Sequence, residues 1–110
     1  MQEMILGIIS ILGICKPVDI KLSTRRSKIA GLYEPIYSDS GRLKSHKITI
    51  WLTEENNRSL RVLVAHELIH AWQEEYKKPD IHGDSFQECA DYLEDVFGLR
   101  GIYDPECDEE

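Results

Sequence analysis

The sequence predicts an α+β fold in a single domain over residues 1–110. A chain of 110 residues with 42% hydrophobic and 30% charged residues has room for one core and is ordinary for a soluble globular protein. In the first half, short segments alternate apolar and polar residues, which is typical of half-buried strands. In the second half, apolar residues recur at helical spacing. We therefore expect an N-terminal helix, a small three-stranded antiparallel or mixed sheet, and two C-terminal helices.

The N-terminal helix is predicted from a twelve-residue apolar run at residues 4–15. This run is shorter than the roughly 20 residues that cross a bilayer, so no membrane span is expected. Its length would suit a signal peptide, but the first three residues carry no positive charge and no convincing cleavage site follows. We favour a buried first helix over an export or membrane-surface segment, and we expect a cytoplasmic or nuclear location.

Three strands and a turn are predicted in the next part of the chain. Residues 18–22 alternate apolar and charged residues. Residues 29–37 form the second candidate, and Pro35 indicates an edge position because proline cannot donate to a neighbouring strand. Residues 38–41 (Ser-Asp-Ser-Gly) predict a turn, and residues 45–52 predict the third strand.

The first of the two C-terminal helices is predicted over about residues 58–77. Thr53 is expected at or next to its N-cap, and Glu54 and Glu55 favour the positive end of a helix. The charged, proline-containing stretch at residues 77–80 ends this helix and turns the chain back.

The last helix is predicted over about residues 85–97, with Asp84 or Ser85 as its N-cap and Gly98 as its stop. Its apolar residues recur at the spacing of a buried face: Phe86, Cys89, Ala90, Leu93 and Phe97.

The strongest functional signal is the run His66-Glu67-Leu68-Ile69-His70 within the first of these helices. Two histidines four residues apart lie on one helix face, so both can bind the same zinc ion. Glu67 lies about 100° round the helix from His66, where it can contact a zinc-activated water as general base without binding the metal. Apolar residues flank the run on both sides, which argues against two surface histidines on a solvated face.

A catalytic zinc normally takes three protein ligands and leaves one position open. His82 is the candidate third ligand, because it stands just before the last helix and can fold back on the preceding one. If His82 does not bind, a carboxylate such as Glu88 or Asp91 is the alternative, although both suit a solvated helix face. His46 lies in a basic strand region, and we expect it at the surface.

Together these residues resemble the SprT-like zinc metalloprotease family, which includes the DNA–protein-crosslink protease Spartan. The resemblance is carried by residues 66–72 and by His82, Gly83 and Phe86, and it extends over about residues 15–98. It implies a zincin-like domain in which His66, His70 and His82 bind Zn²⁺ and Glu67 is the catalytic base. It also implies a first helix packed behind the sheet.

Two features depart from many members of that family. The chain has no Cys-x-x-Cys pair for a zinc ribbon, and residues 104–110 form an acidic tail. A DNA-dependent repair role therefore does not follow from the resemblance. The three cysteines show no metal spacing, so we expect reduced thiols, with Cys89 as a small core residue and Cys107 exposed.

Charge is divided unevenly along the chain. Residues 1–53 carry a net charge of +4 and residues 54–110 carry −11. The basic residues of the first half could meet nucleic acid or an acidic substrate, or they could protect a solvated strand edge, which we favour. They are Arg25, Arg26, Lys28, Arg42, Lys44 and Lys47.

The predicted function is that of a zinc-dependent metalloendopeptidase, active as a monomer on protein or peptide substrates. The alternatives are a non-peptidase zinc hydrolase and a zinc-stabilised binding module on the same scaffold. We expect an extended substrate to pair with residues 45–52, which would put Trp51, Lys44 and Lys47 near it. With a net charge of −7, nucleic acid is expected to act at most as a weak cofactor. Tyr33, Tyr37, Tyr76 and Tyr92 are all candidate oxyanion donors, and the sequence does not choose among them.

Overall fold

The computed structural model describes residues 2–25, 30–51, 60–78 and 81–102. The predicted order of one helix, three strands and two helices is confirmed, and the fold is α+β. The elements are α1 (Gln2–Leu12), β1 (Val18–Ser23), β2 (Gly31–Tyr37), β3 (Leu43–Trp51), α2 (Leu60–Glu75) and α3 (Asp84–Phe97). The N-cap expected around Thr53, the start expected for α2 and the acidic tail lie outside the described residues.

The three strands form one mixed sheet in the order β1-β3-β2. β3 lies in the centre, parallel to β1 and antiparallel to β2. Pro35 lies in β2, at the edge of the sheet, as its missing N–H donor predicted. The predicted turn at residues 38–41 joins β2 to β3, closed by hydrogen bonds from Ser38 N–H to the Arg42 carbonyl (2.8 Å) and from Gly41 N–H to the Ser38 carbonyl (2.9 Å).

The helices cover one face of the sheet. On β3 the side chains of His46, Ile48 and Ile50 are fully buried, while the residues between them point to the opposite face. α2 packs on β2 and β3, and α3 and α1 pack on α2. α2 is therefore the centre of the core, and every residue from Val62 to Ala71 is buried.

α1 buries only one side. Met4 and Ile8 are in the core, whereas Leu6 is 58% exposed and Ile11 is 42% exposed. The helix packs against α2, and Met4 and Ile8 join the same core cluster as the sheet residues Ile48 and Ile50. A Cβ on Gly7 would lie 3.2 Å from the Phe97 ring on α3. Within the described residues, none of the helices is long and apolar enough to cross a membrane.

α3 differs from the prediction at its start. Gly83 is the N-cap and makes no side-chain cap bond, so the expected N-cap at Asp84 or Ser85 was wrong. Ser85 instead accepts a hydrogen bond from the Gln73 amide (3.0 Å), a tertiary contact that sequence capping rules do not include. The predicted core spacing holds for Phe86, Ala90 and Leu93, which are buried, while Cys89 and Phe97 are partly buried. Burial raises the pKa of the Cys89 thiol to about 11, which suits an inert packing residue.

α1, α2 and α3 end in the same way. A residue just after the helix has a positive φ, and the N–H of the residue that follows it donates a hydrogen bond to the carbonyl five residues earlier. Ile14 donates to Ile9, Lys78 to Gln73 and Leu99 to Glu94. Gly13 (φ 70°) and Gly98 (φ 68°) supply the left-handed residue of α1 and α3. α2 uses Lys77 (φ 57°), although a side chain at this φ is strained. The end of α2 therefore carries a backbone cost that the other two helices avoid.

Replacing Lys77 by glycine should stabilise the fold by about 0.5–1 kcal/mol, because glycine adopts positive φ without a steric cost. Thermal unfolding should show a melting temperature about 2–6 °C higher than that of the wild type. The matched control is Lys78→Gly, which changes a neighbouring lysine without positive φ and should give no gain. A lower melting temperature for Lys77→Gly would contradict the strain argument.

Candidate metal centre

α2 carries four polar side chains into the core beneath the sheet, His66, Glu67, His70 and Gln73. His66 and Glu67 are fully buried, and His70 is 4% exposed. Burying such groups is costly unless they are hydrogen-bonded or bind a metal. His66 and His70 lie one turn apart, so their rings project from the same face of the helix, as their spacing predicted.

His82 completes a cluster with these two histidines. Its Nε2 lies 3.2 Å from His66 Nε2, and His70 Nε2 also lies 3.2 Å from His66 Nε2. In tetrahedral coordination with zinc–nitrogen bonds of about 2.0–2.1 Å, ligand nitrogens lie about 3.3–3.4 Å apart. The three residues predicted as ligands are thus close enough to bind one metal ion, with His82 half-buried at the open side.

The outer ring nitrogens set the chemical state of the two helical histidines. His66 Nδ1 donates to the Ile102 carbonyl (2.7 Å), and His70 Nδ1 donates to Gln73 Oε1 (3.0 Å). A neutral imidazole with a proton on Nδ1 presents a lone pair at Nε2. The inward nitrogens of His66 and His70 would therefore repel each other at 3.2 Å, and a cation between them removes that repulsion.

Residues of α3 and of the chain after it hold the partners of these histidines in place. Gln73 donates its amide N–H to Ser85 at the start of α3 (3.0 Å), which holds its oxygen towards His70. Ile102 is fully buried, and its N–H donates to the Glu94 carboxylate (2.9 Å). Phe86 lies under the cluster, with ring-centroid distances of 4.7, 5.0 and 5.2 Å to His66, His70 and His82. Packing from α3 and the chain after it therefore orients the rings.

Glu67 projects from α2 towards the edge strand β2, where Gly31 gives it room. A Cβ on Gly31 would lie 2.8 Å from Glu67 Oε2 and 3.3 Å from its Cγ and Cδ. Real side chains do not approach so closely, so only glycine allows this position of the carboxylate. Nothing in the sequence pattern indicated Gly31, because its role depends on how β2 packs against α2.

His46 belongs to a second buried network and not to the surface, so the surface prediction was wrong. Its side chain is fully buried on β3, with Nδ1 2.7 Å from the Tyr33 hydroxyl and Nε2 3.0 Å from Glu75 Oε1. The N–H groups of Cys15 and Lys16 also donate to the Glu75 carboxylate (2.6 and 3.0 Å). Burial alone would raise the pKa of Glu75, but the bonds from His46 and these two N–H groups lower it below its usual value. The burial of His46 could not be predicted from the sequence, because its partners Tyr33 and Glu75 lie 13 and 29 residues away along the chain.

The tyrosine hydroxyls considered as oxyanion donors are mostly engaged elsewhere. Tyr33 pairs with His46, Tyr37 donates to Glu74, and Tyr76 donates to the Gly13 carbonyl (2.6 Å). Burial and the nearby Glu74 charge raise the pKa of Tyr33, so its hydroxyl keeps its proton. Tyr92 is 55% exposed on α3.

The expected docking of a substrate along residues 45–52 was also wrong. β3 is hydrogen-bonded on both sides, to β1 and to β2, so it has no free edge for another strand. Lys47 and Trp51 do not lie at the metal centre; they line a groove on the sheet face opposite the helices. The other residues of this groove are Lys21, Ser23, Arg25, Leu32, Glu34 and Thr49. Arg26 and Lys28 lie outside the described residues. A smaller cavity of about 180 Å³ opens beside His70 instead.

Comparisons of the chain with protein-family models, with curated proteins and with solved structures found no match.

The contact between Gly31 and Glu67 gives a test of this geometry. Gly31→Ala should destabilise the fold by about 1–3 kcal/mol, because the added methyl group overlaps the carboxylate. In a Glu67→Ala background the same change should cost less than about 0.5 kcal/mol, since the overlapping atoms are gone. Denaturant unfolding of the four proteins measures the coupling. Equal costs in the two backgrounds would show that Gly31 does not make room for Glu67.

Proposed function

We propose that this protein is a zinc-dependent metallopeptidase. His66, His70 and His82 hold the zinc ion, and Glu67 is the general base. The observation that carries the proposal is the convergence of three histidines: His70 Nε2 and His82 Nε2 each lie 3.2 Å from His66 Nε2. Glu67 is fully buried next to His66 on α2. The resemblance of residues 66–86 to the SprT-like pattern supports the same function.

Zinc is proposed because the donor set consists of neutral imidazole nitrogens. Such nitrogens suit zinc, copper, iron and nickel, whereas magnesium and calcium prefer oxygen ligands. A zinc ion bound here would act as a Lewis acid and lower the pKa of water to about 7. The Nδ1 bonds to Ile102 and Gln73 hold both helical imidazoles with Nε2 inward, which is the tautomer that a metal needs.

Glu67 provides the proton transfer. Its carboxylate lies against Gly31, and the residue directly follows His66 on α2. From this position it would accept a proton from the attacking water and return it to the leaving amine. Because the side chain is buried and packed, it loses little freedom when a substrate arrives. The presence of Glu67 favours a hydrolase over a zinc-stabilised binding module, because a structural zinc site does not need a general base.

The substrate is proposed to be an extended protein segment that pairs with the outer edge of β2, the edge that no other described strand occupies. This strand borders Glu67 at Gly31 and the cavity beside His70 at Pro35. A peptide added to this edge would pass both the base and the histidines. Flexible segments are the expected substrates because most backbone groups of a folded segment are already hydrogen-bonded within its own protein. A non-peptidase zinc hydrolase remains the alternative that uses the same residues.

Nucleic acid is proposed as at most a weak cofactor. Lys21, Arg25 and Lys47 lie on the opposite sheet face, with Glu34 among them, so few phosphates could be bound at once. Cleavage assays with single- and double-stranded DNA at low and physiological salt test this. Strong stimulation that persists at physiological salt would contradict it.

Zinc binding is the first test of the centre. Zinc titrated into metal-free protein should bind at one ion per chain, and His82→Ala should lower its affinity more than about a hundredfold. His46→Asn is the matched control, because it removes a buried histidine outside the cluster and should keep the zinc. Tight stoichiometric zinc in His82→Ala would exclude His82 as a ligand and restore Glu88 or Asp91, although both are exposed on α3.

Turnover is the second test. Zinc-loaded wild-type protein should cleave casein, and a chelator should stop it. Glu67→Gln should keep the fold and the zinc but lose at least about a hundredfold in kcat, because an amide cannot accept the proton. Metal analysis and circular dichroism serve as the control measurements on the same sample. Wild-type kcat in the variant would reject Glu67 as the base.

A further inference from the structure

The cavity beside His70 has a defined chemical lining. β2 contributes Tyr33 and Pro35, and Ile81 adds a third apolar wall. The polar part of the lining comes from the last turn of α2 and the residues after it: Gln73, Glu74, Lys77 and Lys78. With a volume of about 180 Å³, the cavity can accept one side chain.

The cavity lining has a net positive charge, although the half of the chain that contains Lys77 and Lys78 is acidic. Residues 54–110 carry a net charge of −11, yet two lysines stand at the cavity. Glu74, the acidic residue of the lining, already accepts a hydrogen bond from Tyr37. Gln73 is engaged by His70 and Ser85. The exposed amines of Lys77 and Lys78 are therefore the hydrogen-bond donors that a ligand in the cavity can contact. The Lys78 amine also lies 5.8 Å from the centroid of the Trp72 ring.

The backbone of Lys77 points to a role for its side chain. Its φ of 57° is the conformation that α1 and α3 build with glycine. A glycine at position 77 would end α2 with less backbone strain. The lysine therefore lowers the stability of the fold while placing an amine at the cavity. Strained residues of this kind concentrate at binding and catalytic sites.

We propose that this cavity selects a substrate side chain that carries a carboxylate, with Lys77 and Lys78 as its specificity-determining residues. The inference rests on the proposed peptidase function and names its substrate class: flexible protein segments with Asp or Glu close to the cleaved bond. The apolar walls accommodate the methylene groups of such a side chain, and the two amines bind its carboxylate.

The experiment uses short peptides of Ser, Gly and Leu in which one position at a time carries Glu, Gln or Lys. Cleavage by zinc-loaded protein is located by mass spectrometry. Glu at one fixed position from the cleaved bond should raise kcat/KM about fivefold over Gln, the modest gain expected for an exposed ion pair. Lys at that position should lower it.

The variants separate charge from backbone effects. Lys77→Asn tolerates positive φ but lacks the amine, so it should lose most of the preference for Glu over Gln, whereas Lys77→Arg should keep it. Lys21→Asn is the matched control, since Lys21 is an exposed lysine that lines the groove on the other sheet face. An unchanged preference in both Lys77→Asn and Lys78→Gln would overturn the inference.

A binding assay distinguishes this inference from the proposed function. Fluorescence anisotropy of the labelled peptides with zinc-loaded Glu67→Gln measures recognition without turnover, and the Glu peptide should bind about fivefold more tightly than the Gln peptide. Cleavage without any preference for Glu would overturn the acidic specificity and leave the peptidase proposal standing. Preferential binding of the Glu peptide without cleavage by the wild type would support the acidic site and reject the peptidase.

Discussion

The fold depends on how α2 carries His66, Glu67 and His70 through its core. Each of these groups would destabilise an apolar interior if it had no partner, because its hydration is lost. The helix accommodates them because the Ile102 carbonyl and Gln73, one turn further along α2, accept hydrogen bonds from the ring nitrogens. Gly31 leaves space beside the carboxylate. The inward Nε2 atoms are left 3.2 Å apart, a geometry that a metal ion stabilises. Core and candidate site are therefore the same set of residues.

A second polar network holds the other end of α2. Glu75 accepts N–H bonds from the segment between α1 and β1 and contacts His46 on the central strand. His46 in turn pairs with Tyr33 on the edge strand. This network links α2 to β2, to β3 and to the segment between α1 and β1, so it holds the helix against the sheet at Glu75. The cavity beside His70 adjoins this network, since Tyr33 also lines it.

Much of this architecture could be predicted because the signals are local. Alternation predicted the strands, Pro35 predicted the edge, and helical spacing predicted that His66 and His70 share a face. Strand order was not predictable, since pairing β1 with β3 depends on contacts between segments far apart in the chain. The same reason explains the error on His46, whose burial follows from Tyr33 and Glu75. The roles of Gly31 and Lys77 also depend on tertiary packing and backbone conformation, which residue type alone does not reveal.

We propose that three histidines of this chain bind one zinc ion and leave one coordination position open. X-ray absorption spectroscopy of the zinc-loaded protein tests it most directly. The account predicts a four-coordinate spectrum with three imidazole ligands at about 2.0–2.1 Å and one further oxygen or nitrogen. Zinc–sulfur scattering at about 2.3 Å, which would require ligation by a cysteine, or fewer than three imidazoles would contradict it.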